Sequence, residues 1–158
     1  MAEKSKGIVA PDEPTIVITR TVDAPRELVW KAWTDPKHIA HWWGPNGFTN
    51  TIRSMDVKPG GQWRFIMHGP DGTNFTTRVV YHEVVKPERL VYDLSGEDEG
   101  DMHTFRATVT FAEHDGKTQI KMASRFPSVA ERDAVLKFGA VEGGEQTLDR
   151  LAAYLPKV

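Results

Sequence analysis

SVAERDAVLKFGAVEGGEQTLDRLAAYL, running from Ser128 to Leu155, is the stretch on which the arrangement of the whole chain turns. It opens with a serine and places Glu131 three residues on, the pattern of a capping box at a helix start. Ala134, Phe138, Val141, Leu148, Ala152 and Leu155 then recur at threes and fours, one apolar stripe on a helical period. The stretch predicts one helix of roughly 40 Å at 1.5 Å per residue. The stripe thins at its middle. Gly139, Gly143 and Gly144 bring no side chains, and Glu145 falls on the apolar line where a hydrophobe is expected. A buried helix without bulk at its centre leaves room beside it, so the stretch predicts a cavity.

A helix with an apolar stripe needs a partner surface, and the preceding residues supply one. Thr15 to Val22 is a β-branched strand with Ile16, Ile18, Arg20 and Val22 on one parity. Arg20 shares the parity of the apolar residues; the simpler reading turns it to water at the strand edge. Asp23-Ala-Pro starts a short helix with Asp23 as its cap, and Leu28, Val29, Ala32 and Trp33 form its apolar face. Thr34-Asp35-Pro36 ends it and begins a second short helix, Lys37 to Trp42.

From Phe48 the period changes to two. Phe48–Val57, Gly61–His68, Thr73–Val85, Arg89–Ser95, His103–His114 and Lys117–Phe126 read as six more strands, separated by Pro-, Gly- and Asp-containing turns. Short connections imply antiparallel neighbours. Trp63, Phe65 and Met67 fall on one face, as do Phe105, Ala107, Val109 and Phe111, and Ile120 with Met122; Arg64, His68, Arg106 and Lys121 fall opposite. A seven-stranded sheet with one apolar face is thus expected to curl around the terminal helix, with the two short helices closing one end. This is an α+β domain over residues 15–158, preceded by a polar, loose tail from Met1 to Pro14. Ser95 to Asp101, rich in acid, reads as a solvated loop.

Composition bounds the function. With 158 residues the chain is one domain, and a net charge of −2 argues against nucleic acid as a partner. The absence of cysteine excludes disulfides and thiolate metal sites, and the expected location is the cytoplasm. No apolar run reaches the length of a membrane span, and no signal-peptide core precedes Thr15.

Five words carry a resemblance: Asp23-Ala-Pro, Val29-Trp30-Lys-Ala-Trp33-Thr-Asp-Pro36, Trp42-Trp43-Gly44-Pro45, Pro59-Gly60-Gly61-Gln-Trp63-Arg and Pro87-Glu88-Arg89-Leu90-Val91-Tyr92. With the order of elements, they resemble the START-like (birch-pollen-allergen-like, SRPBCC) superfamily and its helix-grip fold. Within it they look like the activator of heat-shock-protein-90 ATPase homologue-like family. The resemblance spans about Ile16 to Leu155. It implies a deep cavity between sheet and helix and, across the superfamily, binding of lipids, sterols, polyketides or other hydrophobic molecules. It carries no catalytic motif onto these residues.

The candidate cavity wall is Trp33, Trp42, Trp43, Phe48, Met55, Trp63, Phe65, Met67, Tyr92, Phe105, Val141 and Glu145. Large aromatics with flexible methionines make an adaptable surface for an apolar ligand. Each of these aromatics has core packing as its plainer reading. Trp42-Trp43 reads either as a gate at the cavity mouth or as a seal on the sheet end. Glu145, if it faces the cavity, is a weak candidate acid or base whose pKa burial would raise; alternatively Gly143-Gly144 kinks the helix and turns it to water. His103 is a second weak catalytic candidate at the cavity rim, with a satisfied strand-end histidine as its plainer reading. His38 and His41 lie three apart on one short helix but lack a third ligand at recognisable spacing, so no metal is expected. No cofactor fingerprint is present.

Three functions compete. The first is binding of a hydrophobic small molecule of lipid, polyketide or aromatic type. The second is a co-chaperone-like interaction module for a heat-shock ATPase. The third is a cyclase- or hydrolase-type enzyme using the same cavity. The first is the reading adopted, with enzyme status open and a homodimer as the expected assembly.

Overall fold

A computed structural model describes residues 3–4, 13–97 and 104–158. Eight strands form one antiparallel sheet in the order β1-β2-β8-β7-β6-β5-β4-β3. They are β1 (Glu3–Lys4), β2 (Thr15–Val22), β3 (Thr49–Met55), β4 (Gln62–His68), β5 (Asn74–Val85), β6 (Arg89–Gly96), β7 (Phe105–His114) and β8 (Lys117–Arg125). The seven strands expected from alternation are all there. The eighth, β1, is two residues long and pairs with Thr21 and Arg20; its polar sequence carries no strand signal. Because β3 to β8 follow one another in space as in sequence, their connections are hairpins. Only β2 is placed out of turn, against β8.

The inner face is the apolar one. Trp63, Phe65, Val79, Leu90, Val109, Phe111 and Ile120 are buried on it, while Arg64, Arg78, Arg106 and Lys121 stand on the outer, exposed face. Alternation along each strand produces this directly, since successive side chains point to opposite faces. Two bulges, at Ile52/Ser54 in β3 and Tyr81/Glu83 in β5, shift the register and add local twist and bend.

Two short helices follow β2. Helix α1 (Arg26–Thr34) has Pro25, not Asp23, at its cap position. The amides of Leu28 and Val29 donate to the Pro25 carbonyl. Proline serves there because its φ already suits a helix start. Helix α2 (Pro36–Ile39) is a single turn, shorter than expected, and is capped by Asp35, whose Oδ1 accepts the Lys37 N–H at 2.9 Å. The Trp42 indole donates to the Ala32 carbonyl at 3.0 Å and ties the segment after α2 back onto α1.

The terminal stretch is two helices rather than one. Helix α3 (Val129–Lys137) begins at Ser128, whose Oγ accepts the Glu131 N–H at 3.1 Å as the capping pattern predicted. It ends at Phe138, and α4 (Ala140–Tyr154) restarts after Gly139, which has φ +80°. Only glycine adopts that conformation without a Cβ penalty. The break rotates the two halves out of phase. Phe138, expected on the buried stripe, is 91% exposed, and α3 instead buries Arg132 and half-buries Val135 and Leu136. The Arg132 guanidinium donates to the Glu13 carbonyl at 2.6 Å and to Asp133, anchoring α3 beside the start of β2.

Helix α4 lies across the inner face. Leu148, Leu151 and Leu155 are buried on it with Val29, Trp33 and Phe111 in one continuous core. Each such side chain contributes about 1.5–3 kcal/mol of apolar burial. Arg20 is on this face too, only 2% exposed, and not at a watery edge. Asp149 of α4 meets it at 2.7 Å, and the Glu145 carbonyl accepts from it at 3.4 Å. A buried guanidinium is tolerable when paired in this way. The acidic segment after Glu97 and the strand start at His103 lie outside the described residues.

Candidate ligand-binding cavity

Between the inner face of the sheet and the α3–α4 break lies a cavity of about 670 Å³. Ile16, Ile18, Met67, Phe75, Leu94, Phe105, Met122 and Phe126 form its sheet side. The helix side is Val135, Phe138, Gly139, Ala140, Gly143, Gly144 and Thr147. Trp43, Gly44, Pro45 and Phe48 close a third side. Tyr92 and Ser124 add hydroxyls to a lining that is otherwise almost wholly apolar. The volume and chemistry are those of a pocket for a drug-sized hydrophobic molecule.

The cavity exists because α4 changes character along its length. Its C-terminal half carries leucines that reach the sheet; its N-terminal half offers alanine and glycines. At Gly143 a Cβ would meet only the Pro45 ring at 3.4 Å, so the missing side chain is cavity space. Gly144 is different: a Cβ there would collide with Ile18 Cδ1, so this glycine permits close approach of helix and strand.

The third side is a segment without regular structure, and Arg150 holds it. Its Nη1 donates to the carbonyls of Trp43, Gly44 and Pro45 at 3.1, 2.9 and 3.0 Å, and Nη2 donates to Phe48 at 2.9 Å and His41 at 3.4 Å. Partial burial pulls the Arg150 pKa down from its ordinary value. Gln146 accepts the Asn46 N–H at 3.1 Å, and Asn50 donates to the Trp43 carbonyl at 2.8 Å. One α4 side chain thus fixes the main chain that positions Trp43 and Phe48.

Of the candidate wall, the structure brings together Trp43, Phe48, Met67, Tyr92 and Phe105. Trp33, Trp42, Trp63 and Phe65 are core instead, each with an aromatic partner. Trp33 meets Trp42 edge-on at 4.8 Å and Phe111 at 5.4 Å, and Trp63 stacks on Phe65 at 4.0 Å. All four are almost fully buried and none borders the cavity. Met55 and Val141 are half-buried against that core and outside the lining. Glu145 lies outside the lining as well, half-exposed on α4. His103 is not among the described residues. The Trp42-Trp43 alternative resolves into a division of labour: Trp42 seals the core, and Trp43 touches Trp33 and Trp63 while lining the cavity.

Sequence reasoning missed Phe75, Leu94, Met122, Ser124, Phe126 and Arg150. The parity of Met122 already placed it inward, but nothing local marked which inward residues lie under the glycines. Arg150 carried no signal, because its role depends on main-chain carbonyls a hundred residues away.

Burial raises the Tyr92 hydroxyl far above its ordinary pKa, an effect only partly offset by the polar Trp33 indole nearby. Among the described residues no three His, Cys, Asp or Glu side chains gather as a metal site. His38 Nδ1 is 2.8 Å from the Tyr154 hydroxyl, and the His41 ring stacks on Tyr154. A second depression, of about 700 Å³, lies outside α1 and is edged by Glu27, Lys31, Asp35 and Lys86. Its charged rim keeps it hydrated, so it offers an apolar molecule little reason to leave water.

A curved antiparallel sheet wrapped on a C-terminal helix, with a cavity between them, defines a helix-grip domain of the SRPBCC type. Residues 23–156 match the family described as Activator of Hsp90 ATPase homolog 1-like protein, and the chain belongs to that family. Protein Ms6760 from Mycobacterium smegmatis is similar over 96% of each chain, with 27% identity and a TM-score of 0.86. Protein CV1439 from Chromobacterium violaceum shares 26% identity over 90% of this chain and 96% of its own, with a TM-score of 0.80. A solution structure from Arthrobacter aurescens shares the fold at 24% identity and a TM-score of 0.91, over 99% of this chain and 94% of its own. No curated protein matches the sequence. Among the described residues, no helix is long and apolar enough to cross a membrane.

Proposed function

We propose that this domain binds a hydrophobic small molecule in the cavity between the sheet and the α3–α4 break. The observation that carries the reading is an apolar space of about 670 Å³ at the point where the covering helix turns to glycine. Left to water, that lining forgoes burial that an apolar ligand would supply. The co-chaperone reading rests on the family description alone. It finds little support at the surface, where Val85 and Phe138 are the large exposed apolar residues among those described, and Phe138 edges the cavity. The enzymatic reading has no acid–base pair in the described lining.

A thermal-shift panel of lipids, flavonoids and polyketides tests the proposal. A true ligand at a hundred times its Kd stabilises by about 2.7 kcal/mol, which raises Tm by roughly 5–10 °C in a domain of this size. Trp43→Ala should abolish the shift while Trp63→Tyr, in the core, retains it. No shift from any class of compound would refute the reading.

A further inference from the structure

We propose that the ligand is uncharged and carries an oxygen able to accept a hydrogen bond, as in a ketone or ester, held at Tyr92 or Ser124. The inference rests on the binding reading above and narrows it to a ligand class.

Its first support is the absence of any cation or carboxylate from the described lining. Three buried or half-buried arginines come close in sequence to lining residues, and each is engaged elsewhere. Arg20 stands two residues beyond Ile18 and pairs with Asp149; its Nε lacks a partner but lies outside the cavity wall. Arg150 stands three beyond Thr147 and donates to the carbonyls of the 41–48 segment. Arg132 stands three before Val135 and is committed to Asp133 and the Glu13 carbonyl. A carboxylate entering this space would shed its hydration and gain no counter-charge, so it would enter only as the neutral acid. A cationic ligand meets the same barrier.

The second support is the placement of the polar groups. Tyr92 pairs with Ala107, and Ala107 with Ser124, so the two hydroxyl-bearing residues share one row across the inner face, separated by the smallest of apolar side chains. Two strand spacings put their backbones about 10 Å apart. The buried Tyr92 phenol carries a proton to donate. Ser124 is half-buried in the wall, and its hydroxyl has no protein partner among the described residues. Thr147 spends its proton on the Gly143 carbonyl at 2.8 Å. The described lining therefore offers two donors and no charge, which suits a neutral acceptor oxygen on an apolar frame.

Matched probes on the full chain test this. Pyrene, 1-acetylpyrene, methyl 1-pyrenecarboxylate and 1-pyrenecarboxylate share a ring system, as 2-tridecanone, methyl laurate and laurate share an alkyl chain. Binding is read by quenching of tryptophan emission at pH 8. The ketone and ester of each series should bind at least tenfold more tightly than the carboxylate, and carboxylate binding should improve as pH falls toward 5. Carboxylates that bind as tightly as the esters at pH 8 would overturn the inference while leaving the binding reading standing. Failure of every probe in both series would overturn the two together. Ser124→Ala and Tyr92→Phe are each expected to weaken acetylpyrene about three- to tenfold without altering pyrene, the effect of one neutral hydrogen bond. A ketone-to-hydrocarbon ratio unchanged in both variants would remove the hydroxyls from the account. Because that ratio is taken within one protein, a loss of stability does not mimic it.

Discussion

The two ends of helix α4 face the same sheet and do opposite things. Around Leu148, Leu151 and Leu155 the aromatics find one another: Trp30 and Trp33 of α1 meet Phe111 of the sheet edge-on, and Trp63 lies flat on Phe65. Around Ala140, Gly143 and Gly144 the aromatics Phe48, Phe75, Tyr92 and Phe105 surround unfilled space. Residue type does not distinguish the ends, since both are rich in rings. The facing helix distinguishes them. Where it brings leucine the rings are core, and where it brings glycine they are wall. Trp43 stands at the boundary, in contact with Trp63 on one side and the cavity on the other.

That contrast is open to direct attack. The largest expected effect is at the filled end: Leu151→Ala should cost about 2–5 kcal/mol by chemical denaturation, because a close-packed site does not collapse onto the void. Met122→Ala, in the cavity wall, should cost under about 1.5 kcal/mol, since much of its surface already faces space. Equal losses at the two sites would erase the distinction. Arg150→Met comes next, at about 2–3 kcal/mol, because carbonyls of the 41–48 segment lose a charged donor. Arg150→Lys should rescue little, as a compact ammonium does not span carbonyls that a guanidinium bridges. Ligand affinity should fall with both, through displacement of Trp43.

Smaller effects sharpen the helix side of the comparison. Gly139→Ala should destabilise by about 1–2 kcal/mol, because alanine is strained at φ +80°. Gly143→Ala should stabilise by about 0.5–1 kcal/mol, since helix propensity improves and the new methyl meets only the Pro45 ring, at contact distance. It should also narrow the cavity and weaken bulky ligands.

The smallest effect lies on the outer face and serves as a control. The Arg106 guanidinium, aided by His82, holds the Asp93 carboxyl below its ordinary range. A carboxyl with a depressed folded pKa contributes stability above its unfolded value of about 3.9, and that contribution is lost as pH falls through the folded value. Asp93→Asn should therefore lower stability by under about 1 kcal/mol at pH 7, given its exposure to water. The difference should vanish near pH 2, as read from denaturation at the two pH values. Ligand binding should not change.

The sheet was readable in advance because alternation is a local property: Trp63, Phe65 and Met67 had to share a face whatever stood opposite. The Ser128 cap was readable for the same reason. The break at Gly139 was not, because the apolar period runs unbroken through Phe138 and one glycine is compatible with a continuous helix. That single error of phase put Phe138 inside and obscured Arg132. Arg20 turned inward against expectation because Asp149, from the other end of the chain, was waiting for it. Gly143 borders empty space, but Gly144 marks a close approach to Ile18 and Gly139 a break in the helix, and only the fold decides which rings border the cavity. Hence Trp43, Phe48, Met67, Tyr92 and Phe105 border the cavity, whereas Trp33 and Trp42 pack in the core and Phe75, unmarked by any local pattern, lies in the lining.

Native mass spectrometry of the purified protein, followed by denaturing extraction, tests the central claim most directly. The account predicts a co-purifying or added neutral hydrophobic molecule retained at one per chain by the parent protein and lost from Trp43→Ala. A protein that stays empty, whatever hydrophobic compound is offered, would contradict it.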